Sequence, residues 1–192
     1  YAESVINAAS GVYSDKAVNA VKAMLNYGTA AQQYFGYNTD NPANSIMTDD
    51  DKNMDMVGFN TYTGKLVNAD SVSGISYYGS SLVLESDTIL RNYFELSDGY
   101  SIDNYTFYVK DKDGNKNIIV PQKTDASLYY IDISNVKAYE LADNVNIYVQ
   151  KNGDSEDKIM MLEYGAYVYA RYVDKYLDNT ALKNLMTAMY HY

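Results

Sequence analysis

The chain has 192 residues, of which 47% are hydrophobic and 21% charged, a composition typical of a globular protein. Its net charge of −10 opposes binding to nucleic acid or to anionic lipid, because contacts to phosphate groups dominate such affinity. The lack of cysteine excludes disulfides, thiolate nucleophiles and cysteine-based zinc sites. No apolar run approaches the ~20 residues of a membrane-spanning helix, so we expect no membrane insertion.

The first 37 residues predict two helices. A short one over residues 1–9 ends before Gly11, and a long one follows, with Ser14 as its N-cap and Gly36 as its C-terminal stop. Gly28 lies inside the long helix, where it costs about 1 kcal/mol relative to Ala, so we expect it at a close approach to the C-terminal helices. The apolar stripe of this helix comprises Val21, Met24, Leu25, Gly28, Ala31 and Phe35.

After a polar loop over residues 38–55, the periodicity becomes that of strands. Asp113-Gly114 and Asn152-Gly153 are turn signals between strands, and Gly79 is a possible bulge or break between residues 75–78 and 81–85. The predicted strands are residues 57–63, 75–78, 81–85, 88–96, 105–110, 117–120, 128–133, 137–141, 145–150 and 158–162.

The pattern then returns to that of helices, over residues 162–177 and 179–192. The first carries Tyr164, Tyr172 and Tyr176 on one face, and the second has an apolar stripe of Leu182, Leu185, Met186 and Met189. We therefore predict an α+β fold, an antiparallel β-sandwich of about 7–9 strands flanked by N- and C-terminal helices. Residues 1–192 are interpreted as a single domain, helical over 1–37, β-rich over 57–162 and helical over 162–192.

The two ends of the chain are partial copies of each other. YAESV at the start corresponds to YGAYV at residues 164–168, and the chain is thus a little more than one unit of a tandem array. The natural continuation of the last helix is expected to follow Tyr192. Asn19, Ala23, Met24 and Tyr27 recur 165 positions later as Asn184, Ala188, Met189 and Tyr192.

One acidic segment has the alternating oxygen ligands of a calcium loop: Asp49, Asp51, Asn53 and Asp55. The match ends there, because Met54 stands where the loop needs glycine and Asn60 stands where the bidentate glutamate belongs. We interpret the segment as a solvated acidic loop. His191, the single histidine, lies one residue from the end of the chain, so we predict no catalytic residue, metal site or cofactor.

Tyrosine is the unusual residue type, with 23 copies beside 4 Phe and no Trp. Tyr77-Tyr78 and Tyr129-Tyr130 are adjacent pairs on predicted strands, so one ring of each pair must face away from the core. Exposed rings on a sheet can stack on sugars or anchor a protein partner. The alternative is cross-strand pairing that stabilises the sheet itself. These four tyrosines are the candidate ligand-binding residues.

Five segments, in this order, resemble modules of large extracellular proteins from clostridial-type gut bacteria. The resemblance covers most of the chain and implies a secreted or cell-surface location with an adhesive or scaffold role. It supplies no catalytic or binding motif. The segments are AMLNYGTAAQQYFGYNTDN (23–41), SLVLESDTILRNYF (81–94), KAYELADNVNIYV (137–149), YGAYVYARYV (164–173) and LKNLMTAMYHY (182–192).

Two functions from different classes follow. The first is a non-catalytic extracellular or cell-surface module with an adhesive, display or scaffold role, whose partners are neighbouring repeat modules or a host or bacterial surface protein. The second is a carbohydrate-binding domain that holds a polysaccharide on exposed tyrosines. A glycoside hydrolase is a distant third, since it would need two carboxylates at catalytic separation across a cleft.

Overall fold

The computed structural model describes residues 1–59, 65–66, 72–84, 87–136, 140–141, 143–155 and 158–192. The chain divides into two compact units. The helical unit contains Tyr1–Phe59 and Tyr172–Tyr192, and the sheet unit contains Asn60–Arg171. The interpretation of residues 1–192 as one domain stays a prediction. None of the helices in the described ranges is long and apolar enough to cross a membrane.

The helices begin and end close to the predicted positions. Helix α1 spans Ala2–Ile6 and α2 spans Asp15–Phe35. The N-cap Ser14 accepts a hydrogen bond from the backbone N–H of Ala17, and Gly36 ends α2 in the left-handed conformation. The loop prediction for residues 38–55 missed one helical turn, α3 (Asp49–Lys52), which Thr48 caps. Helices α4 (Ala166–Tyr176) and α5 (Thr180–His191) follow the sheets.

The apolar stripe predicted for α2 is not its buried face. Asn26, Thr29 and Ala30 are the buried residues of this helix, whereas Met24 is 39% exposed and Phe35 is 53% exposed. The contact predicted for Gly28 is also wrong. A Cβ at Gly28 would lie 3.0 Å from the Cβ of Ala43, so the loop after α2 makes the close approach and the C-terminal helices do not.

The described residues of the sheet unit form nine strands in two antiparallel sheets, which confirms the predicted α+β sandwich. The strands are β1 (Lys65–Leu66), β2 (Ile75–Leu84), β3 (Thr88–Leu96), β4 (Tyr105–Lys110), β5 (Lys116–Ile119), β6 (Gln122–Lys123), β7 (Tyr129–Ile133), β8 (Val145–Lys151) and β9 (Ile159–Tyr164). The five-stranded sheet has the order β1-β9-β8-β4-β5 and the four-stranded sheet has the order β2-β3-β7-β6. A short 3-10 helix, Ile102–Asn104, precedes β4.

The side chains that fill the space between the two sheets come from every second residue of the strands. Along β3, Leu90, Asn92 and Phe94 are buried, while the residues between them are half-buried. The rings of Phe94 and Phe107, one from each sheet, meet edge to face with centroids 5.1 Å apart. Opposite them, the five-stranded sheet buries Ile147, Val149, Met160 and Leu162.

The two hairpins predicted from turn signals are present in the structure. Asp113-Gly114 joins β4 to β5, Asn152-Gly153 joins β8 to β9, and the hairpin predicted over residues 81–96 is formed by β2 and β3. The predicted segments 75–78 and 81–85 are not separate strands, because both belong to β2. The helix predicted to begin at residue 162 begins at Ala166, because β9 continues to Tyr164. Residues 137–139 of the predicted strand 137–141 and residues 60–63 of the predicted strand 57–63 lie outside the described residues, and residues 140–141 are not in a strand.

The repeat seen in the sequence has a structural counterpart. Ser14 and Asn179 are 165 positions apart, and each caps its helix by accepting a hydrogen bond from the N–H three residues on. The helices that they cap, α2 and α5, therefore begin at corresponding residues. Within the helical unit α2 and α5 pack together, and the rings of Tyr27 and Tyr192 stack. Helix pair α1–α2 thus corresponds to helix pair α4–α5.

Candidate functional site

A bulge in β2 separates the first two candidate tyrosines. The pairing of β2 with β3 shifts between Tyr77, which is opposite Phe94, and Gly79, which is opposite Tyr93. Tyr77 consequently lies on the inner face, with its ring at an edge-to-face angle to Phe94 and its hydroxyl 2.6 Å from the Ser80 hydroxyl. Burial is the main cause that raises the pKa of Tyr77. Tyr78, the extra residue of the bulge, is 66% exposed.

The outer face of the four-stranded sheet carries a row of residues that we call the outer tyrosine row. It runs across four strands through Gly79, Tyr93, Tyr130 and Gln122, which are paired in register. The rings of Tyr93 and Tyr130 have centroids 6.1 Å apart, and the Tyr130 hydroxyl donates to Oε1 of Gln122 at 2.7 Å. At Gly79 a Cβ would meet nothing within 4 Å, so one end of the row is open.

The structure therefore divides the four predicted site residues. Tyr130 belongs to the outer tyrosine row, and Tyr78 is exposed in the bulge near its open end. Tyr129 is paired with Phe94 and so faces the same side as that core residue. Strand β3 lies between the two tyrosine pairs, and its Tyr93 is the residue that sequence reasoning missed. The alternation within β3 was the available signal.

An ion pair covers part of the outer tyrosine row. Arg91 donates two hydrogen bonds to the Asp132 carboxylate, at 2.7 and 2.8 Å, and the guanidinium carbon lies 4.2 Å from the centroid of the Tyr130 ring. The hydrogen bonds to Asp132 raise the pKa of Arg91 further above its usual range. The arrangement fixes Tyr130 between a cation and a neighbouring ring, which suits it to a rigid surface.

Tyrosines on the five-stranded sheet are engaged in the same way. The rings of Tyr108 and Tyr148 stack with centroids 5.1 Å apart. Nζ of Lys116 lies over the first ring at 4.7 Å, and Nζ of Lys110 lies over the second at 5.0 Å. These cross-strand and cation–π contacts stabilise the sheet itself.

A cavity of about 560 Å³ lies within the helical unit. Its polar lining consists of amides and hydroxyls with Lys52, and its apolar lining consists of aliphatic side chains and thioethers. The lining residues are Asn26, Thr29, Ala30, Gln33, Pro42, Asn44, Ser45, Lys52, Met54, Met56, Asn184 and Thr187.

Hydrogen bonds between lining residues build the wall of this cavity. Asn44 donates through Nδ2 to Oδ1 of Asn26 at 2.7 Å, and its backbone N–H donates to the Thr29 hydroxyl at 2.9 Å. Asn26 in turn donates to the backbone carbonyl of Asp51 at 2.9 Å. The buried amide of Asn26 therefore holds both the loop at Asn44 and helix α3 against α2. Sequence reasoning assigned Asn26 no role, because an amide does not stand out beside an apolar stripe.

The acidic segment at residues 49–55 makes ion pairs. Asp51 accepts a hydrogen bond from Nζ of Lys22 at 2.6 Å, and this bond is the main cause that lowers the pKa of Asp51. Asp49 pairs with Lys52 at 3.1 Å. The backbone carbonyl of Asp55 lies 2.9 Å from Nε2 of His191. In the described part of the chain, no group of three or more His, Asp or Glu residues has a geometry that could hold a metal ion.

Comparison with known proteins adds no relative. No family model matches the sequence, and neither a curated protein nor a solved structure matches it.

Proposed function

We propose that this chain is a non-catalytic module of an extracellular or cell-surface protein, in which such modules follow one another and serve a display, scaffold or adhesive role. The observation that carries the proposal is the helix pair at both ends of the chain, which repeats in sequence and in structure. The helix caps Ser14 and Asn179 lie 165 positions apart, and so do Tyr27 and Tyr192, whose rings stack. This spacing indicates one repeat unit followed by the start of another.

The environments of the tyrosines support a structural role for most of them. Tyr77 lies against Phe94, Tyr108 stacks on Tyr148, and Arg91 covers Tyr130. Such contacts stabilise sheets and keep a tyrosine-rich surface soluble. The resemblance to modules of large extracellular proteins from clostridial-type gut bacteria supports the location, and it makes neighbouring modules and a host or bacterial surface protein the expected partners.

Antibodies raised against the chain test the location. We expect them to label intact cells of the source bacterium, or to detect the chain in its culture medium. Antibodies against a cytosolic enzyme of the same cells, which should label only after permeabilisation, are the control. Labelling by both antibodies only after permeabilisation, with no chain in the medium, would overturn the proposal.

A carbohydrate-binding role is the second candidate, and the exposed Tyr78 beside the open end of the outer tyrosine row favours it. Tyr78 is 66% exposed, and the space above Gly79 is free. Together with Tyr93 and Tyr130, this surface offers aromatic rings to the apolar face of a sugar. A polysaccharide would lie across the strands, from β2 towards β7.

A glycan array of the intact chain separates the two candidates. Tyr78→Ala and Tyr130→Ala test the surface, and Tyr148→Ala on the other sheet is the matched control. Binding to one class of polysaccharide that the first two variants weaken, and the control does not, would assign the carbohydrate role. An array without binding to the wild-type chain would remove that role and leave the display or scaffold role.

A further inference from the structure

The cavity in the helical unit is lined by most of the buried polar residues of the described chain. Five polar residues are buried in the described ranges, and four of them line this cavity: Asn26, Thr29, Asn44 and Thr187. The fifth is Asn92, in the core of the sandwich. Because burying polar groups costs free energy, their concentration around one space indicates a site for a polar ligand.

Several polar atoms of the lining have no hydrogen-bond partner in the described part of the chain. Asn44 is 9% exposed and donates through Nδ2 to Asn26, but its Oδ1 accepts from no described residue. The described chain contains no fully buried polar side-chain atom without a partner, so Oδ1 must reach the open space that Asn44 lines. The side-chain amides of Gln33 and Asn184 also lack a described partner.

The described lining residues offer both donors and acceptors but include no carboxylate. A carboxamide donates and accepts at once, as each unit of a peptide backbone does, so side-chain amides can pair with a peptide at two points. Lys52 is the charged residue of this lining, and its ion-pair partner Asp49 has a side chain that is 99% exposed. Such a surface ion pair contributes little, so the ammonium group can bind a carboxylate of a ligand.

A peptide suits this lining better than a sugar does. None of the twelve lining residues is aromatic, although the chain has 23 Tyr and 4 Phe, and an aromatic ring is what binds the apolar face of a sugar. The apolar lining consists of Ala30, Pro42 and the flexible thioethers of Met54 and Met56, which adapt to aliphatic side chains. The volume of about 560 Å³ lies within the range of about 300–1,000 Å³ that small-ligand sites have.

We propose that this cavity binds a short peptide segment that carries a carboxylate. Asn44 and Asn184 pair with its main-chain amides. Met54 and Met56 hold an aliphatic side chain, and Lys52 pairs with the carboxylate. That carboxylate belongs either to the C-terminus of the peptide or to an acidic side chain, since both present the same group to Lys52. Because the cavity lies wholly within the helical unit, the inference goes beyond the proposed function and holds whether or not modules follow one another.

A peptide array probed with the intact, labelled chain tests the inference. The array carries tripeptides attached through their N-termini, each with a free and with an amidated C-terminus. The peptides that bind are then titrated into the chain by isothermal titration calorimetry. A loss of affinity on amidation would identify the terminal carboxylate as the group that Lys52 binds. A loss on replacing an acidic side chain by its amide would identify that side chain instead.

Two substitutions in the lining are each compared with a matched control. Asn184→Ala should weaken binding roughly three- to tenfold, whereas Asn19→Ala, at the corresponding exposed position of α2, should change it by less than about twofold. Lys52→Gln should weaken binding roughly tenfold or more and remove the preference for a carboxylate. Lys16→Gln, at an exposed position of α2, controls for the change in net charge and should preserve both.

Melting curves by circular dichroism establish that each variant is folded. If Asn184→Ala melts well below the wild-type chain, Gln33→Ala, at an exposed position of the lining, takes its place. An array without binding to the wild-type chain, or equal losses in the lining variants and their controls, would overturn the inference. Binding of a glycan that Asn184→Ala abolishes would also overturn it, in favour of a sugar. None of these results would alter the cell labelling that tests the proposed function.

Discussion

The rings of Tyr27 and Tyr192 stack with centroids 5.6 Å apart and planes 15° apart, although the two residues occupy the same position in two copies of one helix. Burial, with a smaller effect from Tyr192, raises the pKa of Tyr27. The stack therefore joins α2 to α5 at the point where the chain's two ends meet within the helical unit.

This stack should appear as a coupling between the two residues. A double-mutant cycle with Tyr27→Leu and Tyr192→Leu is expected to give an interaction free energy of about 0.5–1.5 kcal/mol, measured by urea unfolding. The control cycle combines Tyr37→Leu with Tyr192→Leu. Because Tyr37 is 69% exposed, these two substitutions should have additive effects on the free energy of unfolding. Additive effects in the first cycle would show that the rings do not stabilise each other.

Met24 and Met189 are corresponding residues with opposite burial, which makes them a matched pair. Met189→Ala should destabilise the 192-residue chain by about 2–5 kcal/mol, because it removes a side chain that is 2% exposed. Met24→Ala should change the free energy of unfolding by no more than about 0.5 kcal/mol. Thermal unfolding followed by circular dichroism measures both. A large loss for Met24→Ala would mean that the side chain of Met24 is already covered by other residues in the folded chain.

Substitutions at Gly28 can show whether its close neighbour is Ala43 or helix α5. Gly28→Leu should destabilise the chain by about 1–3 kcal/mol through overpacking. Because a Cβ at this position would lie 3.0 Å from the Ala43 Cβ, Ala43→Gly should recover part of the loss when the two are combined. The control second substitution is Ala188→Gly in α5. If Ala188→Gly relieves the strain and Ala43→Gly does not, the neighbour of Gly28 is α5 after all.

The Lys22–Asp51 ion pair makes part of the stability pH-dependent. The hydrogen bond from Lys22 holds the pKa of Asp51 below its ordinary value of 3.8. A carboxylate whose folded-state pKa is depressed contributes stability above the unfolded-state pKa, and this contribution is lost as the pH falls through the folded-state value. The contribution of Asp51 is therefore fully present at pH 5, begins to fall at about pH 4, and is lost once the pH is below the folded-state pKa.

Replacing Asp51 should remove this dependence. The melting temperature of Asp51→Asn is expected to fall less between pH 5 and pH 3 than that of the wild-type chain. Asp50→Asn, at an exposed position in the same helical turn, provides the control for the change in net charge. Equal pH dependence of the Asp50 and Asp51 variants would mean that the ion pair does not contribute to stability.

Local patterns predicted most of the elements, because caps, turns and alternation act over a few residues. The caps of α2 at Ser14 and Gly36 were predicted correctly, because a cap depends only on the backbone of the adjacent helical turn. The turn at Asp113-Gly114 was predicted correctly for the same reason. The buried face of α2 was predicted wrongly for the opposite reason. Asn26 is buried because Asn44 and Asp51, 18 and 25 residues away, supply its hydrogen bonds. Hydrophobic periodicity cannot predict hydrogen-bond partners that are so distant in the sequence.

The candidate site was predicted in part for the same reason. Alternation correctly placed Tyr130 and Tyr129 on opposite faces of β7. The composition of the outer tyrosine row depends on the order β2-β3-β7, which is a tertiary property, and so Tyr93 was missed. The bulge at Tyr78 also depends on pairing, because it exists only as a shift in register against β3.

The helical unit is built from both ends of the chain, with the sheet unit as a continuous segment between them. During synthesis the sheet unit can pair all its strands as soon as it leaves the ribosome, whereas α2 must wait for the last helix. Helix α2 therefore stays exposed until the last helix has been synthesised, and it is the surface that a chaperone would protect in that interval.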